Sequence, residues 1–117
     1  MANRIDGRKL GRQTGSRMAL YRNLTVSILR YERVRTTEAK AKEVRGRVDR
    51  MISLAKRGDV PARRAVLAEL PNEPLVVRKL FEEIAPKYAD RTSGFTRIVR
   101  IGQRAGDAAE MVQIELV

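Results

Sequence analysis

Residues 95–117 read FTRIVRIGQRAGDAAEMVQIELV. The last seven alternate cleanly, with Val112, Ile114 and Leu116 on one face, which is the two-residue period of a half-buried strand. Phe95 to Ile101 is rich in β-branched residues and reads as its partner strand. The two are expected to pair as a hairpin across Gly102 to Glu110, where Gly106-Asp107 suits a turn. One apolar face on such a ribbon calls for helices to cover it.

The preceding sequence supplies them. Leu20, Leu24 and Ile28 recur at four-residue intervals, with Tyr21 and Tyr31 beside them, behind a capping Ser16. Arg17, Arg22 and Arg30 are expected on the outer side of that helix. Arg33-Val34-Arg35-Thr36-Thr37 is a short edge or single strand. A long helix then runs from Thr37, as N-cap, and Glu38 to about Arg57, burying Val44, Val48, Met51, Ile52 and Ala55. Lys40, Lys42, Arg45, Arg47 and Arg50 stud its remainder, and Gly58 suits its C′ position. Asp59 caps a third helix with Pro61 in its first turn and a stripe of Ala62, Val66 and Leu70, ended by Pro71. Asn72 caps a fourth with Pro74 in its first turn and a stripe of Val77, Leu80, Phe81 and Ile84, with Pro86 closing it. The reading is α+β in the order α-β-α-α-α-β-β. Two layers are expected, with helices packed on one face of a small three-stranded mixed sheet. Residues 1–15 form a basic N-terminal extension and 16–117 a single α+β domain.

Charge then narrows function. The 117 residues carry 25 Lys and Arg against 14 Asp and Glu, a net charge of +11, and +9 of it falls in residues 1–50. Such a field works against compactness and suits a polyanionic partner, nucleic acid above all. Cys and His are both absent, which removes thiolate and imidazole metal sites, disulfides and His- or Cys-based catalysis. Glu82-Glu83 is adjacent on a helix, so the two carboxylates point apart, and Asp107 reads as a turn residue. Neither Gly7-Arg8-Lys9-Leu10-Gly11-Arg12 nor Gly102-Gln103-Arg104-Ala105-Gly106 has the context of a phosphate-cradling loop. No enzyme, cofactor, metal site or small-molecule substrate is expected. No run of about 18 apolar residues is present, so no membrane partner is expected either. Met1-Ala2-Asn3-Arg4-Ile5-Asp6 lacks a signal peptide's apolar core, and a cytoplasmic location is expected.

Arginine dominates the basic residues of the first 35 positions, and its planar fork holds phosphate oxygens in pairs. Aromatic residues make up only 4% of the chain and Trp is absent, which disfavours a sheet that stacks single-stranded bases. Helix-turn-helix, zinc-finger and basic-zipper patterns are missing as well. The pattern favours backbone and shape recognition of folded RNA.

Gly7-Arg8-Lys9-Leu10, followed by Arg17-Met18-Ala19-Leu20-Tyr21-Arg22-Asn23-Leu24, resembles the start of the seventeenth protein of the bacterial large ribosomal subunit. Thr36-Thr37 with Lys40-Ala41-Lys42-Glu43 is similar to that family, as is Leu54-Ala55-Lys56-Arg57-Gly58-Asp59 with Arg63-Arg64. So are the stretch from Lys79 to Tyr88, then Thr96-Arg97-Ile98, Gly106-Asp107 and the ending Ile114-Glu115-Leu116-Val117. The order holds along nearly the whole chain. Three places depart: the family usually opens Met-Arg-His before Gly-Arg-Lys-Leu, a His is usual where Ser16 stands, and Tyr is common where Phe95 stands.

The resemblance implies a structural, non-enzymatic constituent of the large subunit. It would bind rRNA near the exit of the nascent-chain tunnel, beside neighbouring large-subunit proteins, in the same α-β-α-α-α-β-β order. The expected RNA-binding residues are Arg4, Arg8, Lys9 and Arg12 of the extension, Arg17, Arg22 and Asn23 of the first helix, and Arg35, Thr36, Thr37, Lys40 and Lys42 at the strand–helix junction. Arg97 and Arg100 of the hairpin complete the set. At that junction a helix N-terminus would offer free amides and Thr hydroxyls to a phosphate. The same charge also fits a DNA-binding or nucleoid-associated protein.

Overall fold

A computed structural model describes residues 14–117. The expectations for Arg4, Arg8, Lys9 and Arg12 lie outside the described residues. The elements are α1 (Thr14–Tyr31), β1 (Arg33–Thr37), α2 (Glu38–Arg57), α3 (Val60–Glu69), α4 (Pro74–Lys79), a π-helical turn (Leu80–Ile84), α5 (Ala85–Lys87), β2 (Thr96–Gln103) and β3 (Glu110–Leu116). α4, the π turn and α5 form one continuous helical segment, and the class is α+β.

The strand order is β1-β3-β2, and β3 runs antiparallel to both neighbours. The sheet is therefore antiparallel throughout, not mixed. The last strand inserts between the first two, so β1 and β2 never touch and no parallel ladder forms. In register, Val34, Ile114 and Ile98 share one row and Thr36, Val112 and Arg100 the next. Val112 and Ile114 are wholly buried, and this face meets α1 and α2. Helix α2 crosses beneath it and buries Ala41, Val44, Val48, Met51, Ile52 and Ala55.

Helix α1 differs from its expectation in two ways. It begins at Thr14, so Ser16 sits inside it rather than capping it. Its buried set is Arg17, Tyr21, Thr25, Ile28 and Leu29, while Leu20 and Leu24 are half-buried. The buried face is thus turned about one residue round from the leucine stripe. Thr25 tolerates this because its hydroxyl donates to the Tyr21 carbonyl at 2.8 Å, leaving no orphaned polar atom. Tyr31, counted with the stripe, is exposed and lies under the Arg30 guanidinium.

The boundaries from residue 58 to residue 73 follow local chemistry. Gly58 takes a left-handed φ of 65° and its N–H reaches the Leu54 carbonyl at 3.1 Å, ending α2. Asp59 accepts from the Ala62 N–H at 3.0 Å, capping α3. Asn72, expected as the next cap, instead takes a left-handed φ of 64°, and Glu73 holds the cap position without a side-chain bond. Pro86 does not stop the final helical segment, which continues to Lys87. A proline ring clashes with the carbonyl four residues back, and the π turn opens the backbone just before it, with the Ala85 N–H reaching the Leu80 carbonyl. Tyr88 follows, packs on the buried Phe95 ring at 5.3 Å between centroids, and donates its hydroxyl to the Val117 carbonyl.

Candidate nucleic-acid interface

The expected binding residues fall into distinct settings. Arg22 and Asn23 are exposed on α1, and Arg35 is exposed on β1. Lys40 is half-buried in the first turn of α2. Among the described residues Arg22, Arg35 and Lys40 enter no ion pair, so their charge is available to a ligand. Arg17 is 2% exposed, so it is not on the outer side of α1 where the sequence placed it. Its place in the buried row follows from the rotation of α1, since Arg17, Tyr21 and Thr25 are four residues apart.

At the β1–α2 junction Thr36 is buried on the helix-facing side of the sheet, opposite Val112. Thr37 occupies the N-cap position in extended conformation but makes no side-chain cap bond. The positive end of α2 is already served by Glu38, whose carboxylate draws Arg100 to 3.2 Å and Lys42 to 3.7 Å. Arg97 and Arg100 lie three residues apart on β2, and an odd spacing puts them on opposite faces. Arg97 stands on the sheet face away from the helices, in register with Glu115 and, beyond it, Arg33. The Arg97 Nε donates to Glu115 at 2.9 Å and Gln113 adds a bond at 2.6 Å. These bonds, Arg97 first, hold the Glu115 carboxyl below its ordinary range. The open sheet face is therefore cationic at β1, through Arg33 and Arg35, and charge-compensated along β3.

The structure adds two residues that the sequence reading treated only as studs on α2. Arg47 and Arg50 turn toward Arg22 of α1 across a groove closed by Glu69 and Leu70. Their three-residue spacing fits one helix face. Their meeting with Arg22 depends on how α1 packs on α2, which no single stretch of sequence encodes.

Among the described residues no group of three or more His, Cys, Asp or Glu could hold a metal, and no helix is long and apolar enough to cross a membrane. The geometry defines a class: a small basic α+β protein presenting arginines on α1, β1 and α2. Residues 20–117 match the family described as Ribosomal protein L17. A large ribosomal subunit protein bL17 from Desulfitobacterium hafniense (strain DSM 10664 / DCB-2) is 59% identical over 110 residues, covering 94% of this chain and 97% of that protein. The protein of that name from Clostridium botulinum (strain Hall / ATCC 3502 / NCTC 13319 / Type A) is 56% identical over 110 residues, 94% of this chain and 96% of its own. The one from Trichlorobacter lovleyi is 51% identical over 117 residues, 100% of this chain and 94% of its own. The chain belongs to the ribosomal protein L17 family, and is accordingly a structural component rather than an enzyme.

Proposed function

We propose that the chain is a structural constituent of the large ribosomal subunit in the bacterial cytoplasm, binding large-subunit rRNA beside the nascent-chain tunnel exit and against neighbouring large-subunit proteins. Family membership over most of the chain carries this reading. The distribution of free cations supports it, because Arg22, Arg35 and Lys40 line one continuous run of chain from α1 through β1 into α2. Arg4, Arg8, Lys9 and Arg12 extend that run in sequence toward the N-terminus. Arginine forks along such a path hold phosphates and 2′-hydroxyls without reading bases. Asn23, Thr37 and Lys42 add polar groups at its margins, and Arg97 and Arg100 join only by releasing Glu115 and Glu38.

The test is the salt dependence of binding to a large-subunit rRNA transcript. Replacing Arg4, Arg8, Lys9 and Arg12 together by alanine lowers the slope of log affinity against log salt by about three to four units. An unchanged slope contradicts a phosphate-binding extension. Equal affinity for duplex DNA of the same length would favour the nucleoid-associated alternative.

A further inference from the structure

A groove opens between α1, α2 and α3. Met18, Arg22 and Thr25 face it from α1, Arg47, Arg50 and Met51 from α2, and Glu69 and Leu70 close it at the end of α3. Its volume is about 330 Å³. A single water needs only about 10–15 Å³ on that measure, so the groove admits a phosphate and its attached waters. Its described lining holds three guanidiniums and one carboxylate.

That carboxylate marks where an anion sits. Glu69 takes Arg50 at 2.9 Å and stands 3.9 Å from Arg47. Arg47 is also fixed from behind, with its guanidinium 5.4 Å from the centroid of the Tyr21 ring and its Nη2 3.2 Å from Met18 Sδ. Arg22, on the opposite wall, has no carboxylate among the described residues. The groove therefore keeps unspent positive charge around pre-positioned donors, beside the apolar side chains of Met51 and Leu70, and Glu69 is the one carboxylate in its described lining.

We propose that this groove binds a single backbone phosphate of RNA between Arg22 and Arg50, with Arg47 as the fixed third donor and Glu69 as a built-in competitor. In the free protein Glu69 holds the two α2 arginines in place. The phosphate displaces it from Arg50, the more exposed of the two. Glu69 thereby sets a threshold that a weak anion does not cross. The source of the phosphate rests on the RNA-binding reading, whereas the anion site does not.

The experiment uses the full chain labelled with nitrogen-15 at arginine, following side-chain Nε–H signals while inorganic phosphate replaces chloride at constant ionic strength. Arg22 and Arg50 should shift together and saturably, while Arg78, paired with Glu82 on another helix, should stay still. Glu69→Gln should tighten phosphate binding and Arg22→Ala should weaken it, each by roughly threefold. Equal drift of all exposed arginines, or no effect of Glu69→Gln, would overturn the site. A large-subunit rRNA transcript should then move the same two signals. If the transcript binds and leaves them unmoved, the groove is not an RNA site and the proposal fails. If the transcript does not bind at all, the functional reading falls while the phosphate titration still decides the anion site.

Discussion

Two carboxylates show how local surroundings set charge. Asp107 accepts from the Arg104 guanidinium at 3.0 and 2.6 Å and from the Ala109 N–H at 3.2 Å. The arginine contributes most, and together they bring the Asp107 pKa down to about 2. A depressed carboxylate favours the hairpin turn above its unfolded value of about 3.9, and that contribution fades as pH falls through the folded value. Carbon-13 titration of the Asp107 carboxyl should give a midpoint near 2. A midpoint near 4 would mean the Arg104 pair does not persist in solution. Asp49 behaves oppositely. Burial raises its pKa, against the opposing pull of the Thr96 hydroxyl at 3.3 Å and of Arg45. Its ionisation therefore works against folding as pH rises through the folded value. Asp49→Asn, which keeps an oxygen for Thr96, should melt at or above the wild-type temperature at neutral pH. A clear drop would show that the charge is favourable.

Among the elements, the boundaries set by one residue's chemistry were legible in sequence. Gly58 and Asp59 stop one helix and start the next as expected, because a left-handed φ and a free N–H each select few residue types. Gly58→Ala should cost about 1 kcal/mol in chemical denaturation. An added Cβ would meet only the Ala55 carbonyl, at an ordinary 3.6 Å, so the cost is backbone strain at φ 65° rather than a clash. A loss below a few tenths would mean the turn relaxes out of the left-handed region. Features that depend on two elements meeting were not legible. The leucine repeat of α1 suggested one face, but packing selected the row of Arg17, Tyr21 and Thr25. Pro86 read as a stop because the π turn that accommodates it has no sequence signature of its own. The hairpin was expected from alternation, yet the insertion of β3 between β1 and β2 is a matter of topology, which strand periodicity does not carry.

On the scale of the whole molecule, the fold places cations where the charge asymmetry led one to look, and sorts them. Arg22, Arg35 and Lys40 stay free of ion pairs among the described residues, while Lys42, Arg97 and Arg100 are drawn to Glu38 and Glu115. Composition indicated how much charge the chain carries, but not which charges are spent internally, because Glu38 meets Arg100 across 62 residues of sequence. The same blindness hid the Arg22, Arg47 and Arg50 groove, whose walls come from two helices. The most direct test of the account is sedimentation of a tagged full-length chain through a sucrose gradient at moderate and at high salt. Comigration with the large ribosomal subunit, surviving a wash that strips loosely held basic proteins, is the predicted result. Recovery at the top of the gradient, or with DNA, would contradict it.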